Sequence, residues 1–158
     1  MVPWVRGLAQ RGIDGGETVP LDGRLPMRPE KAVEVYRQQL AGRADAVVGG
    51  VSYGGRMASL LAAQDPVAGL VLLSYPLHPP GKTDQQRVDH LPAITCPVLF
   101  LSGEADPFAQ IDLLQSAVRL VPHAELQTYP RVGHGLTRDP LVFADALDRI
   151  AKFVAALG

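Results

Sequence analysis

The run from Ala46 to Gly55, AVVGGVSYGG, constrains this chain more than any other stretch. It reads as a short buried strand over 46–50, a Gly-X-Ser-X-Gly turn (Gly50, Val51, Ser52, Tyr53, Gly54) and the start of a helix. Such a turn must reverse the chain sharply and hold Ser52 in a strained backbone conformation. The expectation is that a Cβ at either Gly50 or Gly54 would collide with the neighbouring backbone. The serine hydroxyl would then stand above the sheet edge, at the positive end of a helix. A glycine-rich turn carrying an incidental serine is the plainer alternative, and two later stretches bear on the choice.

A chain of 158 residues is expected to form a single domain over 1–158. It is long enough to bury about two thirds of its surface without a disulfide or metal. The one cysteine, Cys96, has no partner within the chain and reads as a small core residue. No Cys/His spacing resembles a zinc site, and the serine chemistry that Ser52 suggests needs neither a metal nor an organic cofactor. The net charge is −1 with the basic residues scattered, which argues against a nucleic-acid or membrane-binding surface. The first residues, MVPWVRGLAQRG, lack the pattern of a signal peptide, and no apolar run approaches the ~18 residues of a membrane span. A soluble, cytoplasmic protein is the expectation.

Periodicity predicts a short helix over 2–11, with Pro3 in its first turn, and a doubtful edge strand at 18–21, weakened by Pro20. Residues 22–28 read as a loop. A helix is predicted over 29–40, another over 53–64, and near-continuous apolar strands over 69–75 and 97–102, of the kind buried on both faces of a parallel sheet. Between those strands, 76–92 holds four prolines (Pro76, Pro79, Pro80, Pro92) and reads as a short surface excursion, too small for a cap domain. A helix over 108–121, a strand over 124–129 and a final helix over 140–157, capped by Asp139, complete the chain. The alternation implies an α/β fold: a mostly parallel sheet in three layers, with helices on both faces.

In such sheets, function gathers at the carboxyl ends of the strands. Three chemically apt residues fall there: Ser52 after 46–50, Asp106 after 97–102, and His134 after 124–129 in the setting Gly133-His134-Gly135. A serine hydroxyl needs a base during attack, a neutral imidazole serves at neutral pH, and a carboxylate behind the imidazole fixes its tautomer. Singly, His134 could be a loop histidine and Asp106 a turn aspartate before proline. In this order at three strand ends they read together as a triad. Glu104 is the rival acid. His78, His90 and His123 follow no elbow-facing strand end as neatly, and His123 lies at the amino end of its strand.

The stretches GGVSYGGRMA, CPVLFLSGEADPF and VGHGL resemble the α/β-hydrolase superfamily. SYGGRMAS, LLSYPLHPPGK and HLPAITCPVLFLSGEADPF resemble its small dienelactone-hydrolase-like members. Within these, the likeness is to the bacterial branch related to a eukaryotic testis-expressed protein and to a histone-acetyltransferase-complex subunit. The resemblance covers roughly residues 29–158. It implies Ser52 as nucleophile, Asp106 as orienting acid, His134 as base, and the Tyr53 backbone N–H as one oxyanion donor.

The same resemblance implies a second donor from a loop after an earlier strand, usually a His-Gly turn, and no His-Gly precedes the elbow in this sequence. The fold is therefore expected to be a truncated version of the family's. Either Met1 is not the true start or the chain is a shortened copy. The elbow strand is expected either to keep an unpaired edge, through which a homodimer could form, or to have 18–21 shift over beside it. Tyr75, His78, Lys82 and Arg56 are candidate substrate-binding residues, and an anionic substrate is favoured if Lys82, Arg56 or Arg87 faces Ser52. The functional expectation is hydrolysis of a carboxylic ester or thioester, a small acyl substrate, through an acyl-enzyme on Ser52. The alternative is a non-catalytic binding or scaffold module.

Overall fold

The computed structural model describes residues 1–21 and 27–158. Helix α1 (Val2–Ala9) carries Pro3 in its first turn. Helix α2 (Pro29–Leu40) has Pro29 at its start and ends where Ala41 turns into the left-handed region. Strand β1 (Val47–Val51) leads through Ser52 into α3 (Tyr53–Ala62). Then come β2 (Gly69–Leu73), β3 (Val98–Gly103), α4 (Ile111–Val118), β4 (Ala124–Tyr129) and α5 (Pro140–Ala156).

The four strands are all parallel and lie in chain order, β1-β2-β3-β4. Their side chains feed two cores. Leu70, Leu72, Val98 and Phe100 pack with α2, α3 and α4 on one face. Val71, Leu73, Leu99 and Leu101 pack with α1 and α5 on the other, where Trp4 meets Phe143 edge-on at 4.8 Å. Burial on both faces explains why β2 reads as a continuous apolar run rather than an alternation. Asp139 caps α5 as expected, accepting the Leu141 and Val142 amides.

Three expectations change. First, 18–21 forms no strand: Pro20 has no N–H to give, and Val19 and Leu21 instead pack against the core under α2 and α3. Among the described residues β1 pairs only with β2. Its other edge lines a groove of about 410 Å³ with Trp4, Leu8, Tyr36 and Leu40, and there the Tyr36 hydroxyl donates to the Gly49 carbonyl at 2.9 Å. Second, α4 begins at Ile111 rather than 108, because the Asp106 carboxylate accepts the Phe108 amide at 2.8 Å and holds that turn out of the helix. Third, 76–92 is more than a surface excursion. Leu77, His78 and Leu91 are buried, and the Arg87 amide closes on the Leu77 carbonyl at 2.8 Å. Most of the loop predicted at 22–28 lies outside the described residues. Among those described, no helix is long and apolar enough to cross a membrane.

Candidate active site

Ser52 sits at the turn between β1 and α3 with φ +53° and ψ −121°, a region that costs of order 1–3 kcal/mol for a non-glycine residue. Its amide donates to the Leu73 carbonyl at 2.8 Å, which ties the elbow to β2. A Cβ on Gly50 would lie 2.5 Å from the Gly54 carbonyl carbon, and one on Gly55 would lie 2.7 Å from the Gly50 oxygen. A Cβ on Gly54 would meet only the Tyr36 hydroxyl, at an ordinary 3.7 Å. The crowding thus falls on Gly50 and Gly55, not on Gly50 and Gly54.

Asp106 follows β3 and is buried. One carboxylate oxygen accepts the Phe108 amide, and the other lies 2.7 Å from His134 Nδ1. Glu104 is exposed and accepts instead from the Thr128 hydroxyl at 2.8 Å, away from His134. The loop after β4 must pass very close to the end of β3. A Cβ on Gly103 would sit 2.1 Å from the Val132 oxygen and 2.4 Å from the Gly133 oxygen, so only glycine allows this approach. The Ala105 amide then bonds the Val132 carbonyl at 2.8 Å.

His134 closes the line, with Nε2 2.8 Å from Ser52 Oγ. Its partners assign the tautomer: Nδ1–H donates to the carboxylate, which leaves Nε2 to accept from the serine hydroxyl. Two residues that sequence reasoning missed hold it in place. The Ser74 hydroxyl donates to the His134 carbonyl at 2.7 Å, and the Phe108 ring lies against the imidazole at 4.6 Å between centroids. Only the strand-end position of Ser74 and the closeness of Phe108 to Asp106 could have flagged them. The Tyr53 N–H, first of α3, has no backbone partner among the described residues. The arrangement can move a proton off Ser52 and stabilise the resulting imidazolium.

The other predicted residues scatter. Tyr75 is a core residue: its ring packs edge-on against Phe100, its hydroxyl donates to the Arg87 carbonyl at 2.8 Å, and burial pushes its pKa to about 12. His78 is buried with both ring nitrogens engaged, at 2.8 Å from the Pro79 carbonyl and accepting the Gln110 amide at 3.1 Å. It staples 76–79 to the turn that carries Asp106 and has no free donor for a substrate. Lys82 is exposed on the excursion, without an ion-pair partner among the described residues. Arg56 is half-buried in the first turn of α3. Tyr53, through its ring hydroxyl, bonds the Met27 carbonyl. Cys96 packs partly buried against the core, where burial pushes its thiol pKa up. The groove along the free edge of β1 includes none of the three aligned residues. A second one, of about 360 Å³, reaches Gly50, Val51, Tyr53 and Gly54 around Ser52 and Thr137 beyond His134.

A family model described as an alpha/beta hydrolase domain matches residues 21–156. Among solved structures, a monoacylglycerol lipase from Paleococcus ferrophilus superposes with a TM-score of 0.72 at 13% identity, over 84% of this chain and 77% of that one. A thermophilic esterase from Thermogutta terrifontis gives 0.71 at 16% identity, over 96% and 85%. A puromycin hydrolase gives 0.65 at 20% identity over 82% of this chain, which spans only 25% of that protein. At these identities the likeness is one of fold.

Proposed function

The chain belongs to the alpha/beta hydrolase domain family, and from that premise we propose that it is a serine hydrolase cleaving a carboxylic ester or thioester. The observation that carries this reading is the unbroken hydrogen-bonded line from Ser52 through His134 to Asp106. In this reading Ser52 Oγ attacks the acyl carbon while His134 Nε2 takes its proton. Asp106 steadies the imidazolium, and the Tyr53 N–H donates to the oxygen as it gains charge. Collapse of the tetrahedral intermediate breaks the bond to the leaving group, which leaves with the proton from His134. Water, deprotonated by the same nitrogen, then releases the acid and restores Ser52.

Within the family, the stretches SYGGRMAS and LLSYPLHPPGK support placing the chain in the small dienelactone-hydrolase-like branch. The test is turnover of a short-chain aryl ester. Ser52→Ala is expected to lower kcat by about 10⁴-fold or more, with the fold unchanged by circular dichroism. Equal turnover by the Ser52→Ala protein, or a wild-type protein that binds the ester without cleaving it, would contradict the proposal.

A further inference from the structure

Strand β2 lies between β1 and β3, and the two residues at its end reach all three strand ends of the site. The Leu73 carbonyl accepts the Ser52 amide at 2.8 Å. The Ser74 amide donates to the Leu101 carbonyl of β3 at 2.9 Å. The Ser74 hydroxyl donates to the His134 carbonyl, beyond β4, at 2.7 Å.

Two features set this hydroxyl apart from an ordinary buried serine. The first is its backbone. Ser74 has φ +52°, in the left-handed region where a side chain crowds the main chain and glycine is at ease. Of the four described non-glycine residues with positive φ, Ala41, Ser52, Ser74 and Arg131, only Ser74 is fully buried. A strained residue bonded to the site points to a role there. The second feature is the backbone of the base. No backbone amide among the described residues donates to the His134 carbonyl. Its loop is anchored on either side, where the Val132 carbonyl accepts the Ala105 amide and the Asp139 carbonyl accepts the Phe143 amide. Between those anchors, the Ser74 hydroxyl is the bond that fixes the main chain at the histidine itself.

The imidazole is held at its far end by Asp106 at 2.7 Å and flanked by the Phe108 ring. A ring held there alone still moves with the loop that carries it. Nε2 stays 2.8 Å from Ser52 Oγ only if both ends of the side chain are fixed. We propose that Ser74 is a positioning residue for the reaction: its hydroxyl, aimed by the left-handed turn after β2, fixes the His134 main chain so that Nε2 stays within reach of the nucleophile's proton. Leu73 holds the Ser52 amide, so adjacent residues of β2 set nucleophile and base in one frame. This rests on the serine-hydrolase reading and adds to it a residue that need touch no substrate.

Three variants test it. Ser74→Ala removes the hydroxyl and keeps the strained turn. Ser74→Gly removes both. Ser74→Thr keeps the hydroxyl and crowds the turn with a β-methyl group. With a short-chain aryl ester, kcat is expected to fall about ten- to hundredfold in the first two, with KM little changed. Ser74→Thr is expected to restore most of that loss. Melting temperature is expected to follow another order, with Ser74→Gly above Ser74→Ala, because only glycine relieves the turn. A merely structural serine would lose activity only as it loses stability. Full kcat in Ser74→Ala and Ser74→Gly, a loss that tracks melting temperature across the variants, or a Ser74→Thr protein as slow as Ser74→Ala overturns the proposal. The low-field proton resonance of His134 Nδ1–H, identified by its loss in His134→Gln, reads the same positioning without turnover. It is expected to be sharp in wild type and Ser74→Thr, and broadened by exchange with water in Ser74→Ala and Ser74→Gly. Its absence from wild type, or an equally sharp signal in Ser74→Ala, overturns the proposal whether or not an ester is cleaved. A wild-type protein that shows the sharp signal and cleaves no ester defeats the hydrolase reading instead.

Discussion

At the scale of single residues, the elbow shows how close packing assigns different work to adjacent glycines. Gly54 belongs to the recognisable turn pattern, yet a Cβ there would make only an ordinary contact with the Tyr36 hydroxyl, while one on Gly55 would press into the Gly50 carbonyl. Gly54→Ala is therefore expected to keep activity and to raise stability by about 0.5–1 kcal/mol, the helix propensity gained over glycine. Gly55→Ala, forced against backbone that cannot yield, is expected to cost about 1–3 kcal/mol and most of the activity. Urea unfolding and ester turnover of the two variants check this; equal losses in both would contradict it. Which glycine is crowded depends on the angle at which α3 leaves β1, and a five-residue pattern does not carry that angle. Asp106 over Glu104 was legible because only Asp106 stands far enough past β3 to turn back toward His134. The destinations of Tyr75 and His78 were not, since they follow from how 76–92 folds under itself.

At the scale of elements, the three strand ends were readable because β3 is a buried, mostly apolar run, β1 a Val/Gly run that ends in the elbow, and β4 an alternating one, AELQTY. The approach of the β4 loop to Gly103 brings His134 to Asp106, and only the tertiary contact with Val132 reveals why a glycine stands there. The join between α3 and the 76–92 segment makes a further prediction. Ser59 donates to the Arg56 carbonyl, so it must accept from His90, which places the imidazole proton on Nε2. Burial first, and then the charge of Arg56, push the His90 pKa down to about 4, against a smaller opposing effect of Asp89. The neutral form is thus favoured in the folded protein. As pH falls from about 6.5 toward 4, the unfolded chain takes up a proton that the native state refuses, and stability is lost. Above that window the contribution is complete. His90→Gln keeps a donor for Ser59 but cannot titrate, so its melting temperature is expected to fall less than that of wild type between pH 6.5 and 4.5. Parallel melting curves across that range would contradict this.

At the scale of the whole molecule, four parallel strands between two helical layers present Ser52, Asp106 and His134 along one rim of the sheet, each from a different strand end. The layers and the parallel direction of the strands follow from alternating apolar strands and amphipathic helices, which the sequence shows openly. The free edge of β1 was one alternative expected from the family resemblance, but the groove along it was not expected, because whether a weak strand such as 18–21 pairs or packs against the core is settled only by tertiary competition. The central proposal is that this rim holds a working nucleophile. The most direct measurement is reaction of the folded protein with a fluorophosphonate, followed by mass spectrometry of the peptides. The expected result is one adduct per chain on Ser52, lost in Ser52→Ala and strongly slowed in His134→Ala. Labelling that persists in Ser52→Ala, or a folded wild-type protein that takes up no label, would contradict it.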